Sequence, residues 1–137
     1  MKIVRTVFVF DAPDLEVESN FWAKVLEGQV IRDESWHSVI DNTGEWRIGI
    51  QLNPTHKQPD WPDGDQQQQI HLDLHVEDPL QSHEDLLRLG ARVLLKADYI
   101  YAESGFQVYA DPAGHPFCMG WGHPTSEQLT NFLSNNK

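Results

Sequence analysis

The sequence predicts an α+β fold built from two modules, each running strand–helix–strand–strand–strand. Three observations predict it. An apolar strand, an amphipathic helix and three short strand candidates fill residues 3–53, and the same order returns between Ile70 and Gly122. The helices of the two halves end at corresponding glycines, Gly28 and Gly90. Between the halves lies a stretch with no hydrophobic period. A helix covering one face of each sheet would leave the other faces free to form a cup.

Each element has its own reason. Ile3 to Phe10 is almost continuously apolar and rich in Val and Phe, as a strand buried on both faces would be. Asp11-Ala12-Pro13-Asp14 is a turn, with Asp14 as helix N-cap. From Leu15 to Glu27 the apolar positions Val17, Phe21, Trp22, Val25 and Leu26 keep helical spacing, and Gly28 supplies a residue free to take positive φ. Gln29 to Asp33, Trp36 to Ile40 and Trp46 to Asn53 read as strands, the last two joined by the hairpin turn Asp41-Asn42-Thr43-Gly44. Module 1 thus spans about residues 1–53. The linker, about 54–69, carries Pro54, Pro59, Pro62, Gly64 and a run of four glutamines.

In module 2, about 70–122, Ile70 to Glu77 is a strand and Asp78-Pro79 opens a helix to about Leu89. Ala91 to Lys96, Phe106 to Ala110 and Pro116 to Gly122 follow as strands, with Asp111-Pro112-Ala113-Gly114 as a type I turn. A short helix over about 124–134 ends the chain, with Thr125 and Gln128 at capping-box spacing.

The totals narrow the function. A chain of 137 residues with 39% apolar residues makes one domain with one core. Lys plus Arg is 10 and Asp plus Glu is 21, a net charge of −11, which repels phosphate backbones and anionic lipid. Nucleic acid and membrane are therefore not expected partners. No apolar run reaches the length of a membrane span, the N-terminus lacks a signal peptide, and the one cysteine, Cys118, has no internal disulfide partner. The expected setting is the cytoplasm.

The most informative stretch is His71-Leu72-Asp73-Leu74-His75-Val76-Glu77. It alternates without a fault, so Leu72, Leu74 and Val76 face one way and His71, Asp73, His75 and Glu77 the other. Imidazoles and carboxylates on one strand face bind metals, move protons or hold polar ligands. Asp73 between His71 and His75 could raise either imidazole's pKa and make a general acid–base; the alternative is a hydrogen-bonded polar layer or a subunit contact. Cys118 could be a nucleophile beside His71, or a small apolar filler between Phe117 and Met119. His115, in a turn, reads as exposed. Of the five tryptophans, Trp22 and Trp46 fit core positions. Trp36, Trp61 and Trp121 fit less well and are candidates to line a site for a flat or amphipathic ligand, with Trp61 on a loop that could fold over the cup.

Taken together, Asp11 to Asp14 with Phe21-Trp22 and Leu26-Glu27-Gly28, His71 to Asp78 with Leu89-Gly90-Ala91, and Asp111 to Cys118 resemble the vicinal oxygen chelate superfamily. That superfamily holds glyoxalases, extradiol dioxygenases and bleomycin-resistance proteins, and the likeness to its glyoxalase-like subgroup covers nearly the whole chain. The resemblance implies paired βαβββ modules forming a partly closed barrel, commonly a homodimer. It implies metal ligands on four strands: His or Gln on the first, Glu on the fourth, His on the fifth and Glu on the eighth. Carried over in turn, these positions fall near Val7, near Gln51, at His71 and at Cys118. Both carboxylates are gone, so the standard metal is not expected. A softer divalent metal held by Gln51, His71 and Cys118 is the alternative.

Three functional readings follow. One is a metal-free small-molecule binder whose cup is lined by Gln51, His71, Trp36, Trp61, Cys118 and Trp121. Another is a lyase, isomerase or dioxygenase using a non-standard metal or the row His71, Asp73, His75. The last is an interaction module whose polar strand face is a dimer contact. The fold hosts many chemistries and does not choose among them.

Overall fold

In the computed structural model, residues 1–135 are described, and they form two four-stranded mixed sheets with three helices. Module 1 comprises β1 (Phe8–Ala12), α1 (Leu15–Val25), β2 (Gln29–Arg32), β3 (Trp36–Ile40) and β4 (Trp46–Leu52). Module 2 comprises β5 (Leu72–His75), α2 (Pro79–Leu89), β6 (Arg92–Leu95), β7 (Gly105–Ala110) and β8 (Pro116–Trp121), and α3 (Ser126–Asn135) follows. The sheet orders are β1-β4-β3-β2 and β5-β8-β7-β6. In each, the first strand runs parallel to the last and the other pairs are antiparallel. The predicted repeat is therefore one of topology.

Local chemistry starts and stops the elements as expected. Asp14 accepts a hydrogen bond from the Val17 amide and Asp78 from the Gln81 amide, each capping its helix. Gly90 closes α2 in the left-handed region, at φ 108°. Thr125 and Gln128 make both hydrogen bonds of a capping box. Gly28 differs from expectation. The left-handed residue after α1 is Glu27, at φ 50°. Gly28 is needed instead because a Cβ there would stand 1.8 Å from the Ile40 carbonyl oxygen.

The core joins the modules. Trp22 of α1 is fully buried and packs on Phe10 of β1 and Phe117 of β8, with ring centroids 5.5 and 5.3 Å away. Its indole N–H reaches both Glu18 Oε1 (3.0 Å) and Asp111 Oδ2 (3.1 Å), and Glu18 Oε2 accepts the Ala113 amide at 2.9 Å. One helix of module 1 is thus pinned to the Asp111 turn of module 2 through buried polar groups that satisfy one another.

Three expectations need correction here. The sheets do not close into a barrel, because β1 and β5 pair only with β4 and β8 and, among the described residues, no backbone ladder joins the modules. The first strand begins at Phe8 rather than Ile3 and is not buried on both faces; as the edge of its sheet it leaves Val9 48% exposed. His115 is half-buried rather than exposed. Its Nε2 lies 2.8 Å from the Asp11 carbonyl, and its ring stacks on Phe10 at 5.2 Å.

Candidate functional site

β5 carries the polar row that the alternation predicts. Leu72 and Leu74 turn inward against the core, and His71, Asp73 and His75 stay exposed. Parallel pairing with β8 sets Asp73 beside Cys118 and His75 beside Gly120. His71 Nε2 stands 3.3 Å from Asp73 Oδ1, and donor atoms of His71, Asp73 and Cys118 all lie within 4.8 Å of one another. The Cys118 thiol is pushed up to about 11, first by burial and then by the Asp73 charge. Gly120, having no side chain, leaves room for His123, whose ring meets that of His75 edge-on at 4.7 Å.

A cavity of about 350 Å³ opens where β1 meets β5. Phe10, Trp22 and Phe117 give it an aromatic wall, and His56, His71 and His115 give it polar points. The linker forms its remaining side through Pro59 and Gln66 to Gln69. The linker is held there by His56, whose Nε2 lies 3.0 Å from the Ala113 carbonyl, and by Gln58, whose side chain lies over Gly114. Gln68 Oε1 is buried and, among the described residues, is the one buried side-chain polar atom with no hydrogen-bond partner. A buried acceptor left unmatched costs about 1–3 kcal/mol.

A larger groove of about 980 Å³ runs between the end of α1, α2 and β5, and Asp73 and His75 reach into it. Of its cations Lys24, Arg47 and Arg88, Arg47 pairs with Asp41 and Arg88 with Asp85.

The carboxyl of Glu18 is pushed well above its ordinary value, by burial first and then by the neighbouring Asp111 carboxylate. With Asp111 it holds α1 to the Asp111 turn through the Trp22 indole and the Ala113 amide. Glu18, Asp111 and His115 also lie close enough to hold a cation, but the two carboxyls are taken up by Trp22, Ala113 and the His115 amide.

The structure distributes the candidate residues unevenly. His71 lines the cavity, and His71, Asp73 and Cys118 come together on one face. Gln51 and Trp36 lie in the other sheet, paired across β3 and β4. The Trp36 indole lies over Gly49 and donates to Ser38 at 3.0 Å. Trp61 is half-buried in the linker. Trp121 is core, 4% exposed over Gly105, and donates to the Ala102 carbonyl. Phe10, His56, Gln68 and His115 were not singled out as site residues in the sequence. Only the glutamine run and the His after the Asp111 turn could have pointed to them.

The sequence profile of the glyoxalase-like domain family matches residues 7–120. Among solved structures, the chain is similar to the fosfomycin resistance protein FosX from Listeria monocytogenes (hexagonal form). The identity is 15% over 93% of this chain and 98% of that one, with a TM-score of 0.67. A glyoxalase/bleomycin resistance protein/dioxygenase family enzyme from Burkholderia phytofirmans is 16% identical over 85% and 97% of the two chains, with a TM-score of 0.63. The Listeria FosX complexed with Mn(II) and sulfate matches at 14% identity over 95% and 99%, also with a TM-score of 0.63. No curated protein matches.

Proposed function

Because the chain belongs to the glyoxalase-like domain family, we propose that it binds a small, partly aromatic or amphipathic molecule between the β1–β5 edge and the glutamine linker. The observation that carries this reading is the cavity itself, in which Phe10, Trp22 and Phe117 form an aromatic wall beside His56, His71 and His115, with the glutamine run closing one side. The ligand would draw the Gln68 amide round to face the cavity, supply an N–H or O–H to it, and lay a flat apolar part against Phe10 and Phe117. His71 would meet its polar end.

An ion of the manganese class does not fit the donors present. Manganese prefers oxygen ligands, and by the resemblance the two positions where the superfamily carries Glu fall near Gln51 and at Cys118. No step of the proposed function runs through it. A homodimer goes with this reading. The sheet faces opposite the helices leave Ile31 63% and Phe106 51% exposed, and a second copy would cover them.

The test is a thermal-shift screen of metal-stripped protein against small aromatic amines, amides and alcohols. Compounds that raise Tm in the wild type and lose that effect in Gln68→Met support the proposal. No compound raising Tm, or hits indifferent to Gln68→Met, would overturn it.

The 3.3 Å pairing of His71 with Asp73 favours a second reading, in which the imidazole moves a proton on the bound molecule. Under that reading a His71→Ala variant stays folded but loses turnover.

A further inference from the structure

We propose that the seam between the modules, where the groove beside α1 and α2 meets the edges of β1 and β5, is a second ligand site that takes an amphipathic cation, one ammonium group on an apolar chain. The seam is open because β1 and β5 each end their sheet. Two adjoining spaces fill it. One is a channel of about 310 Å³ lined chiefly by Phe8, Trp22, Leu26, Ile48, Leu72 and Leu74. The other is the groove of about 980 Å³, which meets the channel at Leu26, Arg47 and Leu74. The groove shares no lining residue with the cavity beside the linker, and the channel touches that cavity only through Trp22 and Leu72. The site therefore lies beyond the function proposed above.

The groove sets the charge of the ligand. Arg47 and Arg88 are neutralised there by Asp41 and Asp85, at 2.6 and 2.8 Å. Glu27 accepts from the uncharged Asn42 amide at 3.3 Å, and Asp73 stands 3.3 Å from the His71 ring. With His71 and His75 neutral, Lys24 against Glu27 and Asp73 leaves one net negative charge on the lining. Both helices also end at the groove, α1 at Val25 and α2 at Leu89, and a helix C-terminus adds roughly half a negative charge. An ammonium group is favoured there and a carboxylate repelled, in a chain whose net charge of −11 already draws cations toward it. The channel sets the rest of the ligand. Trp22 and Ile48 back it as fully buried core, so its apolar wall is fixed and suits an alkyl or aryl tail.

Calorimetric titration of the full chain at pH 8 with decylammonium and with decanoate tests this, because the two probes share a tail and differ in the sign of the head. The expected result is saturable decylammonium binding, with decanoate at least about tenfold weaker. Glu27→Gln should weaken decylammonium by about two- to fivefold, and Lys24→Gln, which removes the opposing charge, should tighten it by a similar factor. Both side chains are exposed, and circular dichroism checks that the variants stay folded. No saturable binding, decanoate binding as tightly as decylammonium, or an affinity indifferent to both substitutions would each overturn the proposal. So would an affinity that is lost in Gln68→Met and unchanged in Glu27→Gln, since the probe would then occupy the cavity beside the linker.

Discussion

Glu18 is a carboxylic acid in a place where a carboxylate is costly. It is 1% exposed beside Asp111, which is fully buried, and both accept from Trp22. Its folded pKa is raised from an ordinary 4.5, so the folded state holds a proton that the unfolded chain releases. Its stabilising contribution is complete below the ordinary value and is lost as pH rises toward the raised one. Urea denaturation across about pH 5 to 9 should give midpoints that fall with rising pH in the wild type and a flatter profile in Glu18→Gln. Glu18→Ala, which strands the Ala113 amide, should cost about 2–4 kcal/mol at neutral pH. The site's other key residue runs the opposite way. Gln68 Oε1 has no hydrogen-bond partner, so Gln68→Met should stabilise the free protein by about 1 kcal/mol while weakening ligand binding, a trade that a purely structural glutamine would not make.

At the scale of elements, periodicity, caps and turns were legible because they are local. Asp14, Asp78, Gly90 and the Thr125–Gln128 box act within a few residues of themselves. The failures came where distant chain decides. Gly28 has the position of a helix-ending glycine, but its need comes from the Ile40 carbonyl, twelve residues on. Two substitutions separate these causes. Gly28→Ala should cost at least about 1–3 kcal/mol from the clash. Glu27→Gly, which relieves a left-handed glutamate, should be neutral or stabilise by up to about 1 kcal/mol in the same denaturation assay. The polar row of β5 was likewise readable from alternation alone. The cavity beside it was not, since the linker that forms one wall has no period and is anchored by His56 and Gln58 to residues more than fifty positions later.

At the scale of the molecule, the repeat in pattern foretold two modules but not how they meet. They meet through Trp22, Glu18, Asp111 and Phe117 rather than through a shared ladder, so the sheets stay open. The uncovered faces predict association. Light scattering should report a dimer, and Phe106→Arg with Ile31→Arg should give a folded monomer. The central claim is that the cavity between the β1–β5 edge and the glutamine linker takes a small molecule with a hydrogen-bond donor. Calorimetry of the best screening hit against metal-free wild type and Gln68→Met tests it most directly. The account predicts saturable binding that weakens at least about tenfold in the variant, the loss of roughly one good hydrogen bond. Equal affinity in the two proteins would contradict it.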